Sequence, residues 1–335
     1  AIELNPNYAI AFSNLGAILN DLGKSVEAEK SLRKAIEIKP DFAESYSNLG
    51  QIFNDLDKFK EAELSTRKAI KLNPNFADAH NNLGMILIDL GKLKEAKNSI
   101  EKATKIDQAF HDAHCNLAYI KLLIGDYQSG LENYEFRFKK KKQPAITHGN
   151  TKLKRLNNQP LQTGEKLLVI SEQGFGDTLH FMRYIPYLRQ QGIDVSFCAQ
   201  TQLHSLIKAS GIDTNPLTPE QASLVSEGLW IPLLSVPRYL KVRPDNPIIS
   251  NPYIYSTDEL NKKWREILSP EKRPIIGINW QGNPNAEKAS AKGRSLPLET
   301  FSTLAKHHNF NFLSLQKGFG SEQLEHCSFK NQFVQ

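Results

Sequence analysis

The sequence predicts an α-helical solenoid followed by an α/β region. In the first part of the chain a helix-length pattern returns every 34 residues. From Lys166 onward, short apolar runs of strand length alternate with glycine-containing loops and amphipathic segments. A chain of 335 residues is long enough for about two domains, each with its own core.

The composition is that of a folded protein in water. Hydrophobic residues make up 40% and charged residues 23% of the chain, and the net charge of +6 is too modest to indicate nucleic acid as a partner. Cys115, Cys198 and Cys327 lack metal-ligand spacing, which predicts no metal site and a reducing, cytoplasmic location. No apolar run approaches the length of a membrane span.

The 34-residue repeat is visible in several columns of the sequence. The motif SNLG, SNLG, NNLG, CNLA places its leucines one repeat apart, at Leu15, Leu49, Leu83 and Leu117. Each unit predicts two helices joined by a short turn, for example around Ala43–Leu56 and Lys58–Leu72, and a proline such as Pro40 or Pro74 follows the second helix. Small residues such as Gly50 and Ala62 are expected where the helices cross closely.

This pattern of period, Leu-Gly, Ala and Pro resembles the tetratricopeptide repeat, and the resemblance covers residues 1–142. In the fourth unit Ala118 replaces the glycine and Gly130 replaces the alanine, as expected of a repeat that closes the array. The run Lys139–Lys142 follows and is interpreted as a solvated helix end, with a basic contact surface as the alternative.

One column of the repeat consists of asparagines, and helix packing does not explain their presence, because asparagine is a mediocre helix former. The resemblance to the repeats of O-linked N-acetylglucosamine transferase implies that this column lines a concave groove and forms hydrogen bonds to the backbone of an extended peptide. A side-chain amide suits this role because it is both a donor and an acceptor. The alternative is a helix residue typical of the family without a ligand. The residues of the column are Asn14, Asn48, Asn82 and Asn116.

The second part of the chain predicts a parallel sheet. Residues 143–165 lose all periodicity and are predicted as a linker. The run KLLVIS, a glycine loop, a helix over Thr178–Gln191 and the run GIDVSFCA then form a βαβ unit. Further predicted elements are a helix over Gln202–Ser210, an extended segment Trp230–Pro237, a helix Leu260–Leu268, a strand in RPIIGINW, a helix Pro297–His308 and a strand Asn311–Gln316.

The segments EQGFGDTLHFMRYIPYL, LLSVPRYL, IGINWQGNP, GRSLPL and SLQKG occur in this order behind the repeats. Together they resemble the glycosyltransferase domains that are fused to repeats in bacteria, which are similar to heptosyltransferases and more distantly to O-linked N-acetylglucosamine transferase. The resemblance implies a GT-B fold, with a first Rossmann-like half at 166–272 and the start of the donor-binding half at 273–335. We expect that half to be incomplete and the chain, which begins inside a repeat, to be a piece of a longer protein.

Two residues are candidates for catalysis. The resemblance implies that Asp177, at the end of the glycine loop, is the base that accepts the proton of the acceptor hydroxyl. Its alternative role is to cap the helix that follows, since aspartate is a preferred capping residue. His180, one turn on, is a substitute base, with a surface or packing role as its alternative.

The candidates for binding the donor diphosphate lie in loops that follow predicted strands. Arg294 corresponds best to the basic phosphate-binding residue of the relatives, while Gln316 and Lys317 lie at a carboxyl edge, where α/β sheets bind ligands. Gly174 and Gly176 predict close backbone approach or positive φ. The complete set is Gly174, Gly176, Asn283, Lys292, Arg294, Ser295, Gln316 and Lys317.

The leading interpretation is an inverting, metal-independent glycosyltransferase that takes its sugar from a nucleotide sugar, needs no further cofactor, and holds a protein or peptide acceptor on the repeats. The alternative is a non-catalytic interaction scaffold with a degenerate transferase domain. In either case we expect this chain alone to turn over no nucleotide sugar, because the donor half is incomplete.

Overall fold

The computed structural model describes residues 5, 7–140, 145–249, 251–282, 284, 295–307 and 309–334. The chain divides into two compact units, unit 1 from Ala1 to Ile254 and unit 2 from Tyr255 to Gln335. Asn283, Lys292 and Arg294 from the predicted donor site lie outside the described residues.

Unit 1 begins with four helical hairpins, as the 34-residue repeat predicts. The second helix of the fourth hairpin is short and continues as a 3₁₀ turn over Glu135–Lys139. The helices are α1 Ala9–Asp21, α2 Ser25–Ile38, α3 Ala43–Asp55, α4 Phe59–Leu72, α5 Ala77–Asp89, α6 Leu93–Ile106, α7 His111–Leu123 and α8 Tyr127–Tyr134.

Small residues allow the helices of each hairpin to cross closely. Ala62 and Ala96 are fully buried, and a methyl group added at Gly84 would overlap Ile100 on the partner helix. The first helices of successive hairpins also contact each other, α1 with α3, α3 with α5 and α5 with α7, whereas the second helices approach one another less. The first helices therefore lie on the inner side of the curved array.

A parallel sheet of four strands completes unit 1, in the order β1-β4-β2-β3. Leu167 and Val169 of β2 pack into one core and Leu168 and Ile170 into another, so both faces of the central strand are covered. The elements are β1 Lys154–Arg155, β2 Lys166–Ile170, α9 Phe175–Phe181, α10 Tyr184–Gln190, β3 Asp194–Cys198, α11 His204–Ala209, α12 Pro219–Ser223, β4 Leu229–Pro232 and α13 Val236–Tyr239.

Several elements of unit 1 differ from the expectation. The single helix predicted over Thr178–Gln191 is two helices, because Pro186 has no N–H for the carbonyl of Met182, which instead accepts from the N–H of Ile185 at 3.0 Å. The segment Trp230–Pro237 is extended only as far as Pro232 and then turns helical. The segment 143–165 supplies β1, which is too short to show strand periodicity.

A buried ion pair joins the last repeat to the sheet. The guanidinium of Arg137, 3% exposed, donates to both carboxylate oxygens of Glu172, at 3.0 and 2.7 Å. Glu172 lies two residues beyond the end of β2 and is itself fully buried. Arg137 also donates to Ser235 Oγ, beyond the end of β4, at 2.8 Å. One side chain of the repeat array thus holds the ends of two neighbouring strands.

Unit 2 contains the helix α14 Asp258–Leu268, the strand β5 Ile275–Ile278, the helix α15 Ser302–Ala305 and the strand β6 Asn311–Ser314. The two strands pair in parallel, as the sequence predicts, with Ile275 opposite Asn311. The predicted helix Pro297–His308 is a 3₁₀ turn over Leu298–Phe301 followed by the single turn of α15. The core includes Trp280, Leu298 and Phe312.

The close crossing in the third repeat makes a first prediction. Gly84→Ala should lower the free energy of unfolding by about 1–3 kcal/mol, because the new methyl group overpacks against Ile100. In an Ile100→Ala background, which removes the obstructing side chain, the same substitution should be neutral or stabilising, since alanine is the better helix former. Urea unfolding of the double-mutant cycle tests this, and additive effects would contradict close crossing as the cause.

The buried ion pair makes a second prediction. Arg137→Ala should cost about 3–5 kcal/mol of unfolding free energy, because it leaves the carboxylate of Glu172 buried without a counterion. Arg33→Ala is the matched control: Arg33 pairs with Glu29 at 2.8 Å but is 61% exposed, so its loss should cost about 1 kcal/mol or less. Equal losses in urea unfolding would show that the burial of Arg137 is not decisive.

Candidate functional site

The asparagine column lies on one stripe of the inner helices. In α3 this stripe comprises Glu44, Asn48, Gln51 and Asp55, which are four, three and four residues apart and so share a helix face. The buried residues of α3, including Leu49 and Ile52, lie on other faces of the helix. We call the equivalent positions of α1, α3, α5 and α7 the inner stripe, with Asn14, Asn48, Asn82 and Asn116 at its centre.

Two asparagines of the inner stripe connect neighbouring repeats. Asn82 Nδ2 donates to Ser47 Oγ at 3.3 Å, and Asn116 Nδ2 donates to Asn81 Oδ1 at 2.9 Å. An asparagine amide has two N–H groups and a carbonyl oxygen, so each of these bonds uses one donor and fixes the orientation of the amide. The second N–H and the carbonyl remain available for a ligand. Asn48 is half-buried and Asn14 is exposed.

The inner helices are acidic. Within α1, α3 and α5 there are five carboxylates and no lysine or arginine. The lysines and arginines of the array lie mainly on the second helices, where several are already paired, as Arg67 is with Glu63 and Glu95. The five carboxylates belong to Asp21, Glu44, Asp55, Asp78 and Asp89. The inner stripe is therefore a negative surface with amides along its middle.

The glycine loop follows β2 at the carboxyl edge of the sheet. Gly174 is the N-cap of α9, and its N–H donates to Asp177 Oδ2 at 3.0 Å. Asp177 is therefore not the N-cap that its alternative role required; it lies in the first turn of α9, and its carboxylate accepts from the N–H of the N-cap residue. Of the two alternatives predicted for Gly174 and Gly176, close backbone approach or positive φ, the second does not hold: the left-handed residue of this loop is Gln173, with φ of 62°. Gly176 has no atom near the position of a Cβ, which leaves open space beside the loop.

His148 was missed by the sequence interpretation and lies against the glycine loop. Its Nδ1 is 3.0 Å from Ser171 Oγ, and its Nε2 is 3.4 Å from Gln200 Nε2. Because Thr178 donates to the oxygen of Gln200 at 2.8 Å, the amide nitrogen of Gln200 faces His148. The proton of the imidazole therefore belongs on Nδ1, and Nε2 carries the lone pair. A single histidine in an aperiodic segment gave no signal in the sequence.

His180 has less freedom to act as a base. Arg183 approaches its Nδ1 at 3.3 Å, and because arginine can only donate, the ring proton lies on Nε2. Partial desolvation and then the charge of Arg183 lower the pKa of His180, so the ring is neutral near pH 7. Arg183 also donates to Tyr253 Oη at 2.9 Å. His180 thus belongs to a contact that ties α9 to the segment around Tyr253.

A cleft of about 520 Å³ lies between α7, which carries the last asparagine of the inner stripe, and Gln173, which directly precedes Gly174 of the glycine loop. Cys115, which precedes Asn116 in α7, lines it on the repeat side, and His148 and Gln173 line it on the sheet side. Gln173 Nε2 donates across the cleft to Tyr134 Oη at 2.8 Å. Burial raises the pKa of the Cys115 thiol to about 11, so the thiol is protonated and unreactive near neutral pH.

The described donor-site candidates of unit 2 lie at the ends of β5 and β6. Gln316 Oε1 accepts from the N–H groups of Trp280 and Gln281, and its amide nitrogen donates to the carbonyls of Gln281 and Phe319. Its amide is thereby committed to shaping the loop. Ser295 Oγ accepts from Gly282 N–H at 3.0 Å, and Lys317 is exposed.

Among the described residues, no three histidine, cysteine, aspartate or glutamate side chains are grouped so that they could hold a metal ion. None of the helices in the described ranges combines the length and apolar character needed to cross a membrane.

Comparisons with known proteins concern the repeat array. The chain is similar to the crystal structure of MamA, with 25% identity over 40% of this chain and 79% of that one and a TM-score of 0.36. The first tetratricopeptide repeat domain of Spaghetti (RPAP3) bound to an HSP90 peptide shows 25% identity over 35% and 92% of the two chains, with a TM-score of 0.33. A Thermus thermophilus repeat protein shows 20% identity over 40% and 74%, with a TM-score of 0.38.

No curated protein sequence matches the chain. The tetratricopeptide repeat matches at residues 9–42, 43–76 and 77–110. These are the first three helical hairpins of the structure, and their bounds agree with the 34-residue step. Residues 9–110 of this chain are therefore tetratricopeptide repeats.

Proposed function

We propose that the inner stripe binds an extended, positively charged segment of a partner protein. Tetratricopeptide repeats mediate protein and peptide binding. The observation that carries the proposal is the ordered row of amides flanked by carboxylates, with Glu44 and Asp78 each one turn before an asparagine. The amides suit the repeating peptide groups of an extended backbone, and the carboxylates suit lysine or arginine side chains.

The charge of the stripe favours a basic partner over an acidic one. An acidic segment would bring like charges against Glu44, Asp78 and Asp89, which are exposed and for which the described structure provides no salt bridge. A basic segment gains attraction at the same positions, and its association is accelerated by the field of the stripe. Both effects decrease with salt, because the carboxylates are exposed.

A second function is favoured by the cleft at the end of the stripe. We propose that a segment bound along the asparagines reaches the glycine loop, where the full protein transfers a sugar from a nucleotide sugar to it. Asp177 would accept the proton of the acceptor hydroxyl. The loops after β5 and β6 in unit 2 remain the proposed location of the donor.

The three cysteines are unpaired, which suits the reducing, cytoplasmic setting that we propose.

The peptide-binding proposal is tested with Asn48→Ala and Asn82→Ala together. Each lost neutral hydrogen bond should cost about 0.5–1.5 kcal/mol, so the double variant should bind an extended Lys/Arg-containing peptide about 5- to 150-fold more weakly. Fluorescence anisotropy with a labelled peptide measures this, and circular dichroism shows whether the helices persist.

Two controls make the result decisive. Asn98→Ala removes an exposed asparagine from the outer helix α6 and should leave the affinity unchanged. A peptide of the same length with glutamate in place of the basic residues should bind more weakly than the basic peptide. Unchanged affinity in the double variant with intact helicity would refute the role of the asparagines, and preference for the acidic peptide would refute the role of the charge.

The transfer proposal is tested with Asp177→Asn in the complete protein. Asparagine still caps a helix but cannot accept a proton, so the transfer rate should fall about 100-fold or more while the melting temperature changes little. Asp126→Asn, at the N-cap of α8, is the control for capping and should leave transfer intact. A lower melting temperature with full transfer activity would assign Asp177 to the helix cap alone.

A further inference from the structure

A second cavity of unit 1 has no role in the proposed functions. It has a volume of about 620 Å³ and lies between the last repeat helix, α8, and the segment that follows α13. We call it the junction pocket. The lining residues that matter here are Gln128 and Glu132 of α8, Asn158, and Arg238, Lys241 and Arg243.

The junction pocket carries more positive than negative charge. Three of its lining side chains are cationic and one, Glu132, is a carboxylate, 3.5 Å from Arg238. Asp245 lies 3.3 Å from Arg243, but both side chains are more than 60% exposed, so this pair is weak in water. Glu135 lies behind the pocket, 3.7 Å from Arg238 Nε. Lys241 has no carboxylate partner among the described residues.

Arg238 is held in place with part of its guanidinium unused. Its side chain is 9% exposed, and Nη1 donates to Asn158 and approaches Glu132. No described residue accepts a hydrogen bond from Nη2, and buried Nε has no hydrogen-bond partner. A preorganised arginine that retains free donors is suited to oxygen atoms of an anion.

Lys241 occupies a backbone position that favours glycine. The turn after α13 closes with Val242 N–H donating to Pro237 O at 2.9 Å and Lys241 N–H donating to Arg238 O at 3.1 Å. This is the Schellman pattern, in which the left-handed residue is usually glycine. Lys241 has φ of 52° there, which costs free energy that glycine would not cost.

We propose that the junction pocket binds a phosphate group, with Arg238 Nη2 and Lys241 Nζ as its charged contacts. The pocket is larger than a phosphate ion, so the rest of the ligand would be a small polar molecule that bonds to the amides of Gln128 and Asn246. Because the walls come from the repeat array and from the sheet region, the ligand would also strengthen the connection between them. The proposal does not depend on peptide binding or on sugar transfer.

The test uses the full chain, and the probes are inorganic phosphate and a hexose phosphate. Binding is measured by isothermal titration calorimetry and by thermal unfolding, with the ionic strength held constant with chloride. Phosphate should bind and raise the melting temperature of the unmodified protein. Lys241→Gly should bind phosphate about 10-fold or more weakly, while its melting temperature without ligand equals or exceeds that of the unmodified protein, because glycine adopts positive φ without strain.

Lys208→Ala, which removes a lysine of α11 outside the junction pocket, is the matched control and should bind phosphate normally. No saturable phosphate binding by the unmodified protein, or equal binding by Lys241→Gly, would overturn the proposal. Tighter binding of the hexose phosphate than of inorganic phosphate would support the amide contacts, and equal binding of the two probes would overturn that part.

Discussion

The buried ion pair between Arg137 and Glu172 is the constraint on which unit 1 depends. The arginine makes use of its whole guanidinium, because it bonds both oxygens of Glu172, the hydroxyl of Ser235, the carboxylate of Glu135 and the carbonyl of Tyr134. The rings of Tyr134 and Phe138 lie 4.4 and 4.3 Å from it. Two desolvated charges are tolerable only with such complete pairing. The repeats and the sheet consequently meet in one defined arrangement.

The same pair determines where a ligand can bind. In a doubly wound sheet the usual site is the crevice at the carboxyl ends of the strands on either side of the point where the strand order reverses, here β2 and β4. Arg137, Glu172 and Ser235 fill that position, and the N–H of Leu234 also donates to Glu172, at 3.2 Å. A ligand of this sheet would therefore lie beside the crevice, where Gln173 and His148 border the cleft.

The repeats could be read from the sequence because their contacts are local and recur every 34 residues. The break in the predicted helix over Thr178–Gln191 was also readable, since Pro186 lies inside it. The roles of Arg137 and His148 could not be predicted from the sequence. Arg137 lies just before the run Lys139–Lys142, which was interpreted as a solvated helix end, and its partner Glu172 is 35 residues away. Only tertiary structure reveals such pairs, and the same holds for β1.

Some residues other than glycine have a left-handed backbone conformation. Asp57 and Ile248 have it for an ordinary structural reason, whereas Gln173 and Lys241 line the proposed sites. Asp57 is the simplest case: it occupies the repeat turn where Gly23, Gly91 and Gly125 stand in the other units, and aspartate tolerates positive φ. Ile248 is held by the core of the sheet region against which it packs. Gln173 and Lys241 have neither explanation. One borders the cleft at the end of the inner stripe and the other lines the junction pocket. Positive φ costs free energy in a residue other than glycine, and in this chain two such residues line the two cavities for which we propose ligands.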